Sequence, residues 1–199
     1  MGRNVRRSTS QSQKPSADID SLDYSPTRSH VQCGRPIFGT GQASNRATML
    51  TNKGKYGLKA MVHLAGLEPG ALAQVADIAE SNSISKKFLD HILSELRCAG
   101  LVRSKKGKGG GYALAHPAHE IRVGSIVRAL DGPLAPIPCA SVTAFRPCED
   151  CSDLETCAVR LIMIDARNAI ADVLDNRTLA EMWTLTNPSE LDCDVSQLN

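Results

Sequence analysis

Apolar side chains recur at helical spacing through the middle of this chain. Between Thr51 and Leu67, the residues Leu58, Met61, Val62 and Ala65 share one stripe, which Leu64 extends; Pro69 and Gly70 end the run. Val75 to Ser81 predicts a second, short helix with Val75, Ile78 and Ala79 inward, and Asn82 and Ser83 form a turn. A third helix follows. Ser85 is suited to its N-cap, Leu89, Ile92, Leu93 and Leu96 fall at i, i+3, i+4 and i+7, and Gly100 stops it. Two β-prone runs, Leu101 to Ser104 and Tyr112 to Ala115, flank a tip of lysines and glycines. Val123 to Leu130 is a fourth helix, closed by Asp131, Gly132 and Pro133. A long helix runs from about Asp153 to Leu174, and Thr178 to Met182 adds one more turn with Trp183 as an apolar anchor.

Helix, short helix, turn, longer helix and β-hairpin is the order of a winged helix-turn-helix. The expected class is therefore mainly α with a small β-hairpin wing (α+β), to which the long helix is appended. Residues 49–134 form the winged domain, 135–158 a cysteine-rich loop, and 153–183 the long helix and its following turn. Residues 1–48 read as a disordered basic tail, with Met49 as an alternative translation start, and 184–199 as a flexible C-terminus. The long helix shows Leu154, Leu161, Ile162, Ala166, Ala169, Ile170, Val173 and Leu174, an apolar width with no further domain to bury it. A second copy of the chain is the economical partner.

Composition narrows the class. The 199 residues are 42% apolar and 22% charged, ordinary for a globular protein. Aromatic residues make up 4%, which argues against stacking single-stranded bases on rings. No apolar run reaches transmembrane length and no secretory h-region opens the chain, so a cytoplasmic protein without a membrane partner is expected. The net charge of +2 conceals an asymmetry: +4 over 1–48, +5 over 49–117 and −7 over 118–199. A basic domain beside an acidic one suggests that only the first meets a polyanion. The third helix carries Lys86, Lys87 and His91 on its outer side, and the hairpin tip carries Lys105, Lys106 and Lys108. Such a helix suits a major groove, and such a hairpin a phosphate backbone or minor groove. The alternative is a small helical core with solvated charge.

Of the seven cysteines, four crowd into positions 139–157: Cys139-x8-Cys148-x2-Cys151-x5-Cys157. A C-x-x-C step lets two thiolates reach one centre from a tight turn, and thiolates suit zinc and iron–sulfur clusters alike. A redox dithiol at Cys148 and Cys151, or four unremarkable thiols, remain alternatives. Glu149, Asp150 and Asp153 are hard ligands that compete poorly among sulfurs. Cys98 is expected to be small and partly buried at the end of the third helix. No Ser/His/Asp arrangement, phosphate loop or paired-carboxylate site stands out, and no βαβ pattern supports a thiol oxidoreductase, so an enzyme is not expected.

Five motifs together resemble the IscR/NsrR/RirA family of bacterial winged helix-turn-helix transcriptional regulators: KGKYGLKAMVHLA at 53–65, VADIAESNSIS at 75–85, FLDHILSELRCAGLVRS at 88–104, KGKGGGYAL at 106–114 and EIRVGSIVRALDGPL at 120–134. The resemblance spans roughly residues 49–183. It implies a homodimeric repressor that crosses through the long helix and sets two winged domains on a palindromic double-stranded operator. It implies DNA contacts at Ser85, Lys86, Lys87, Asp90 and His91 and, in the wing, at Lys106, Gly107, Lys108, Gly109 and Gly110, to which the basic hairpin itself adds Lys105. The usual wing has Arg where Lys106 stands and Pro where Lys108 stands; lysine lacks the planar fork, which shifts the wing toward backbone affinity. Asp90 can accept from a cytosine amino group or pair with Lys86 or Lys87.

The family's sensors hold an iron–sulfur cluster, 2Fe-2S or 4Fe-4S, on three cysteines, the last two separated by five residues. Cys139, Cys151 and Cys157 match that pattern. The fourth ligand departs from it. The IscR type uses a histidine three residues after the third cysteine, where this chain has Arg160. The NsrR type uses an aspartate in the partner's first helix before a tyrosine, where this chain has Lys55 before Tyr56. Cys148 is the substitute expected from this sequence, giving an all-cysteine site, with zinc or no metal as the alternatives.

Overall fold

The computed structural model describes residues 50–151 and 153–187. The expectations for 1–48, for a start at Met49 and for 188–199 lie outside these residues, as do Cys33 and Cys193.

Helix α1 (Asn52–Ala65) begins where Thr51 caps it, its hydroxyl accepting from the N–H groups of Lys53 and Gly54. Asp131 holds that cap in turn, accepting from the Thr51 N–H at 2.9 Å. Helix α2 (Val75–Asn82) ends with Ser83 in the left-handed region at φ 54°, and the Ile84 N–H reaches back to the Ala79 carbonyl. Helix α3 (Lys86–Cys98) follows directly. Its end is a Schellman turn: Gly100 takes φ 76°, its N–H reaches Arg97 O, and the Leu101 N–H reaches Leu96 O.

Strands β1 (Val102–Lys105) and β2 (Gly111–Leu114) pair antiparallel, Val102 opposite Leu114 and Lys105 opposite Gly111. Ala73 adds a third, one-residue strand: it exchanges two backbone hydrogen bonds with Tyr112, at 2.9 and 2.8 Å. Helix α4 (Val123–Asp131) returns across the domain. After a 3-10 turn at Pro138–Ala140 come α5 (Ala158–Asn176) and α6 (Leu179–Thr184), the latter opened by a capping box between Thr178 and Glu181.

The core lies where α1, α3 and α4 meet. Met61, Ile78, Leu89, Ile92, Leu93, Leu96, Ile126 and Leu179 are its largest fully buried side chains. The apolar stripes of the first four helices are thus the ones that bury, and this mostly helical body with one small antiparallel hairpin is the expected winged fold. Helix α5 starts at Ala158, not near Asp153. The Asp153 carboxylate instead takes the Glu155 N–H and the Thr156 hydroxyl, a local turn that competes with helix. Unlike the others, α5 buries no residue fully. Ile170, Ala171 and Leu174 pack against the core, while Val159, Ile162 and Val173 remain exposed. Its far end is tied down by Asp175, which accepts two hydrogen bonds from the Arg128 guanidinium of α4, at 2.5 and 2.7 Å. That pairing raises the pKa of Arg128 above its ordinary value against the effect of burial. No helix among the described residues is long and apolar enough to cross a membrane.

Candidate nucleic-acid interface and cysteine centre

Four basic side chains, Lys86, Arg97, Lys105 and Lys106, meet at one groove of the winged domain. Ser85, Lys86, Lys87, Asp90 and His91 are all exposed along the first two turns of α3. Lys105, Lys106, Gly107, Lys108 and Gly109 are exposed at the wing tip, with Gly110 half-buried beneath them. Gly107 and Gly109 take positive φ, and a Cβ at Gly111 would collide with the Ala73 carbonyl, so the glycine run has a backbone reason independent of any ligand. Between helix and wing lies a groove of about 400 Å³ whose polar lining includes Gln74, Lys86, Arg97, Ser104, Lys105 and Lys106. The two predicted reading elements therefore flank one basic cleft.

Asp90 forms no ion pair with Lys86 or Lys87, so the intrahelical pairing considered for it is not made; its charge instead reaches the Tyr112 hydroxyl, whose pKa is raised by burial first and by Asp90 second. His91 does have a partner. Its Nε2 lies 3.0 Å from Glu95 Oε1, and Glu95 Oε2 lies 3.0 Å from Lys53 Nζ of α1. Sequence reasoning named His91 but missed Glu95 and Lys53, which stand 42 residues apart.

The second site is the loop between α4 and α5. Cys139 is buried, and Cys148, Cys151 and Cys157 are half-buried. The four thiols are neighbours in series: Cys139 lies beside Cys148, Cys148 beside Cys151, and Cys151 beside Cys157, each close enough to perturb the next. Burial first, then the bond to Cys148, pushes the Cys139 thiol up. At Cys148 the bond with Cys139 favours the thiolate, but the bond with Cys151, burial and the charge of Asp150 outweigh it. Cys151 is raised likewise: its bond with Cys148 opposes, while burial and Cys157 prevail. Uncharged thiols are thus the favoured form in this arrangement, and a cation placed among them would reverse that preference.

Among the described residues, one set of three candidate donors lies with all its atoms mutually within 4.8 Å: Cys148, Asp150 and Cys151. Asp150, set aside in the sequence as a hard ligand, therefore stands beside the C-x-x-C step. Asp153 does not; it is spent on the loop's own turn.

Arg160 occupies the position of the IscR-type histidine, and its role is structural. Its Nε donates to the Cys139 carbonyl at 2.9 Å, Nη1 donates to the Leu154 carbonyl at 3.3 Å, and the guanidinium lies 6.0 Å from the Phe145 ring centroid. It fastens both ends of the loop to the first turn of α5. Lys55 leans over the Tyr56 ring at 5.1 Å. Cys98, expected partly buried, is exposed at the end of α3.

Comparison with known proteins agrees with this geometry. The model of the Rrf2 family, described as an iron-dependent transcriptional regulator, matches residues 50–184. An rrf2-like HTH-type transcriptional regulator of Rhodobacter capsulatus is 39% identical over 145 residues, 71% of this chain and 96% of that protein. The HTH-type transcriptional regulator IscR of Vibrio parahaemolyticus is 36% identical over 135 residues, 68% of this chain and 77% of that protein. Among solved structures, that of CymR, the global cysteine regulator of Bacillus subtilis, superposes with a TM-score of 0.57 at 34% identity, covering 68% of this chain and 96% of that one.

Proposed function

This chain belongs to the Rrf2 family of transcriptional regulators, and from that premise we propose that it is a cytoplasmic, homodimeric repressor sensing iron, redox or nitrosative state. On this reading Cys139, Cys148, Cys151 and Cys157 hold an iron–sulfur cluster, and α3 with the wing binds a palindromic operator. The family's members regulate transcription and are not enzymes. The observation that carries the sensing role is the unbroken chain of four thiols in the loop at the foot of α5.

The donor set fits an iron–sulfur centre. Clusters are held by thiolates, commonly four. A zinc ion, holding sulfurs at about 2.3 Å in a tetrahedron, calls for four donors all close to one another. Here the set packed within 4.8 Å holds two of the four sulfurs, Cys148 and Cys151, with Asp150, and zinc is the alternative occupant. Arg160 and Lys55, which stand where the family's own fourth ligands would be, are cationic and cannot ligate, so Cys148 is the fourth thiol on offer, with Asp150 beside it. A bound cluster would supply an electron-transfer couple and iron–sulfur bonds that respond to iron supply, oxidants and nitric oxide.

The chain's own residues supply the coupling. Arg160 makes the Cys139 backbone and the first turn of α5 one unit. Asp175 and Arg128 join the other end of α5 to α4, which packs on α1 and α3. A change of loop shape thereby shifts α5 against the reading heads, moving two paired heads into or out of register with half-sites about 34–36 Å apart or a multiple of that. In the dimer, Val159, Ile162, Ala166, Ala169 and Val173 meet their copies, a 3-4-3-4 spacing that forms one seam along α5.

The test is anaerobic purification followed by the visible spectrum and assays of iron, sulfide and zinc, repeated once after reconstitution. A brown protein with iron and sulfide, colourless as Cys151→Ser and as Cys148→Ser, is expected. A cluster retained in full by Cys148→Ser would remove that residue from the ligand set, and a zinc protein would remove the cluster. A second reading, thiol sensing without metal, is supported by the adjacent thiols and the likeness to CymR. It expects a colourless protein whose operator affinity changes on oxidation and returns on reduction.

A further inference from the structure

One carboxylate in α3 joins two elements. Glu95 is about 29% exposed, and its two oxygens have different partners: Oε2 pairs with Lys53 Nζ at 3.0 Å and Oε1 with His91 Nε2 at 3.0 Å. Lys53 lies in the first turn of α1, whose cap is fastened to α4 through Thr51 and Asp131. The carboxylate is therefore anchored from outside its own helix. His91, 68% exposed, projects from the second turn of α3 on the same side as Lys87, four residues earlier.

We infer that Glu95 is a positioning residue that decides which base edge His91 reads. The inference rests on the reading that α3 enters the major groove. A carboxylate only accepts, so the hydrogen bond requires a proton on Nε2. In the neutral ring the other nitrogen, Nδ1, then carries a lone pair and no proton. In the major groove an acceptor finds a donor on adenine N6 or cytosine N4, whereas guanine and thymine present O6, N7 and O4 acceptors at that edge. His91 held by Glu95 selects an amino-bearing base at one position of each half-site. Released from Glu95, the ring can turn over and take either tautomer, and then it accepts either kind of edge. Lys53 fixes the carboxylate so that the same oxygen always faces the imidazole.

The experiment uses the full chain at roughly pH 8, where an ordinary imidazole is neutral. Bound duplexes are selected from a randomised palindromic library and sequenced. The position read by His91 is the one whose preference disappears in His91→Ala. The operator and its single-base variants at that position are then titrated with wild type, His91→Ala, Glu95→Ala, Glu95→Gln and the His91→Ala/Glu95→Ala double variant. Wild type is expected to favour adenine or cytosine there by about tenfold. Glu95→Ala should reduce the preference to about twofold or less, leaving the other positions and the salt slope unchanged. Glu95→Gln, which keeps an acceptor oxygen, should retain most of it, and the double variant should lose no more than either single change. A preference unchanged in Glu95→Ala, or an affinity loss spread evenly over all sequences, overturns the inference while leaving DNA recognition intact. A wild-type protein that enriches no sequence overturns the DNA reading itself, and the inference with it. Matching thermal melts confirm that each variant is folded.

Discussion

Replacing Ile162 by alanine should loosen the dimer far more than its position on an exposed helix suggests. Ile162 is 61% exposed in the single chain, as is Val173, and Val159 is 63% exposed. The change removes three carbons, worth about 0.8 kcal/mol each when fully buried, of which about six-tenths remains to be buried on association. That is about 1.5 kcal/mol per chain, and two-fold symmetry doubles it to about 3 kcal/mol. At 1.4 kcal/mol per factor of ten, the dimer dissociation constant should rise about 150-fold. Sedimentation equilibrium across a dilution series reads this directly. Asn168→Ala serves as the control, because Asn168 is exposed on the same helix but off the stripe. A dissociation constant within about threefold of wild type for Ile162→Ala would refute the seam, because no other burial could then account for that side chain. Ile162→Glu places a charge in the same contact and should leave the protein monomeric, with operator binding reduced to that of a single head.

Two further outcomes follow from the reading heads. Lys106→Ala and Lys108→Ala should each weaken binding to every duplex alike and, with two wings per dimer, lower the slope of log affinity against log salt by about 1.8, measured by titration at several salt concentrations; a change confined to one operator sequence would instead assign the wing to base reading. Ser83→Gly should raise stability by about 0.5–1 kcal/mol, since Ser83 sits at φ 54° where glycine is unstrained, and a thermal or urea melt that shows no gain would mean that the serine side chain compensates for the strain.

Legibility in the sequence varied with the range of the interaction involved. Helix α3 was readable almost to the residue, because its apolar period and Gly100 act within one or two turns. The start of α5 was placed early because Leu154 continues the apolar run; the decisive contact, Asp153 accepting from Glu155 and Thr156, has no periodic signature. Ala73 contributes one residue to the wing, too little for any alternation to reveal. The cysteine cluster was legible from spacing, but the linear order of thiol contacts and the nearness of Asp150 depend on how the loop folds. Glu95 was invisible as a functional residue because Lys53, which fixes it, comes from another helix.

The stitch between Ala73 and Tyr112 also determines where this protein can tolerate a change of chain length. Ala73 stands two residues before α2, so the hairpin base and the helix-turn-helix are sewn to a single point of the backbone. An insertion at 107–109 lies beyond the last paired residues, Lys105 and Gly111, and lengthens the finger without moving its root. An insertion between 73 and 75 shifts α2 away from the root. Relatives should therefore differ in wing length while the spacing from that stitch to α2 stays fixed, and grafting a longer wing tip is the gentlest way to give this scaffold a different footprint on DNA.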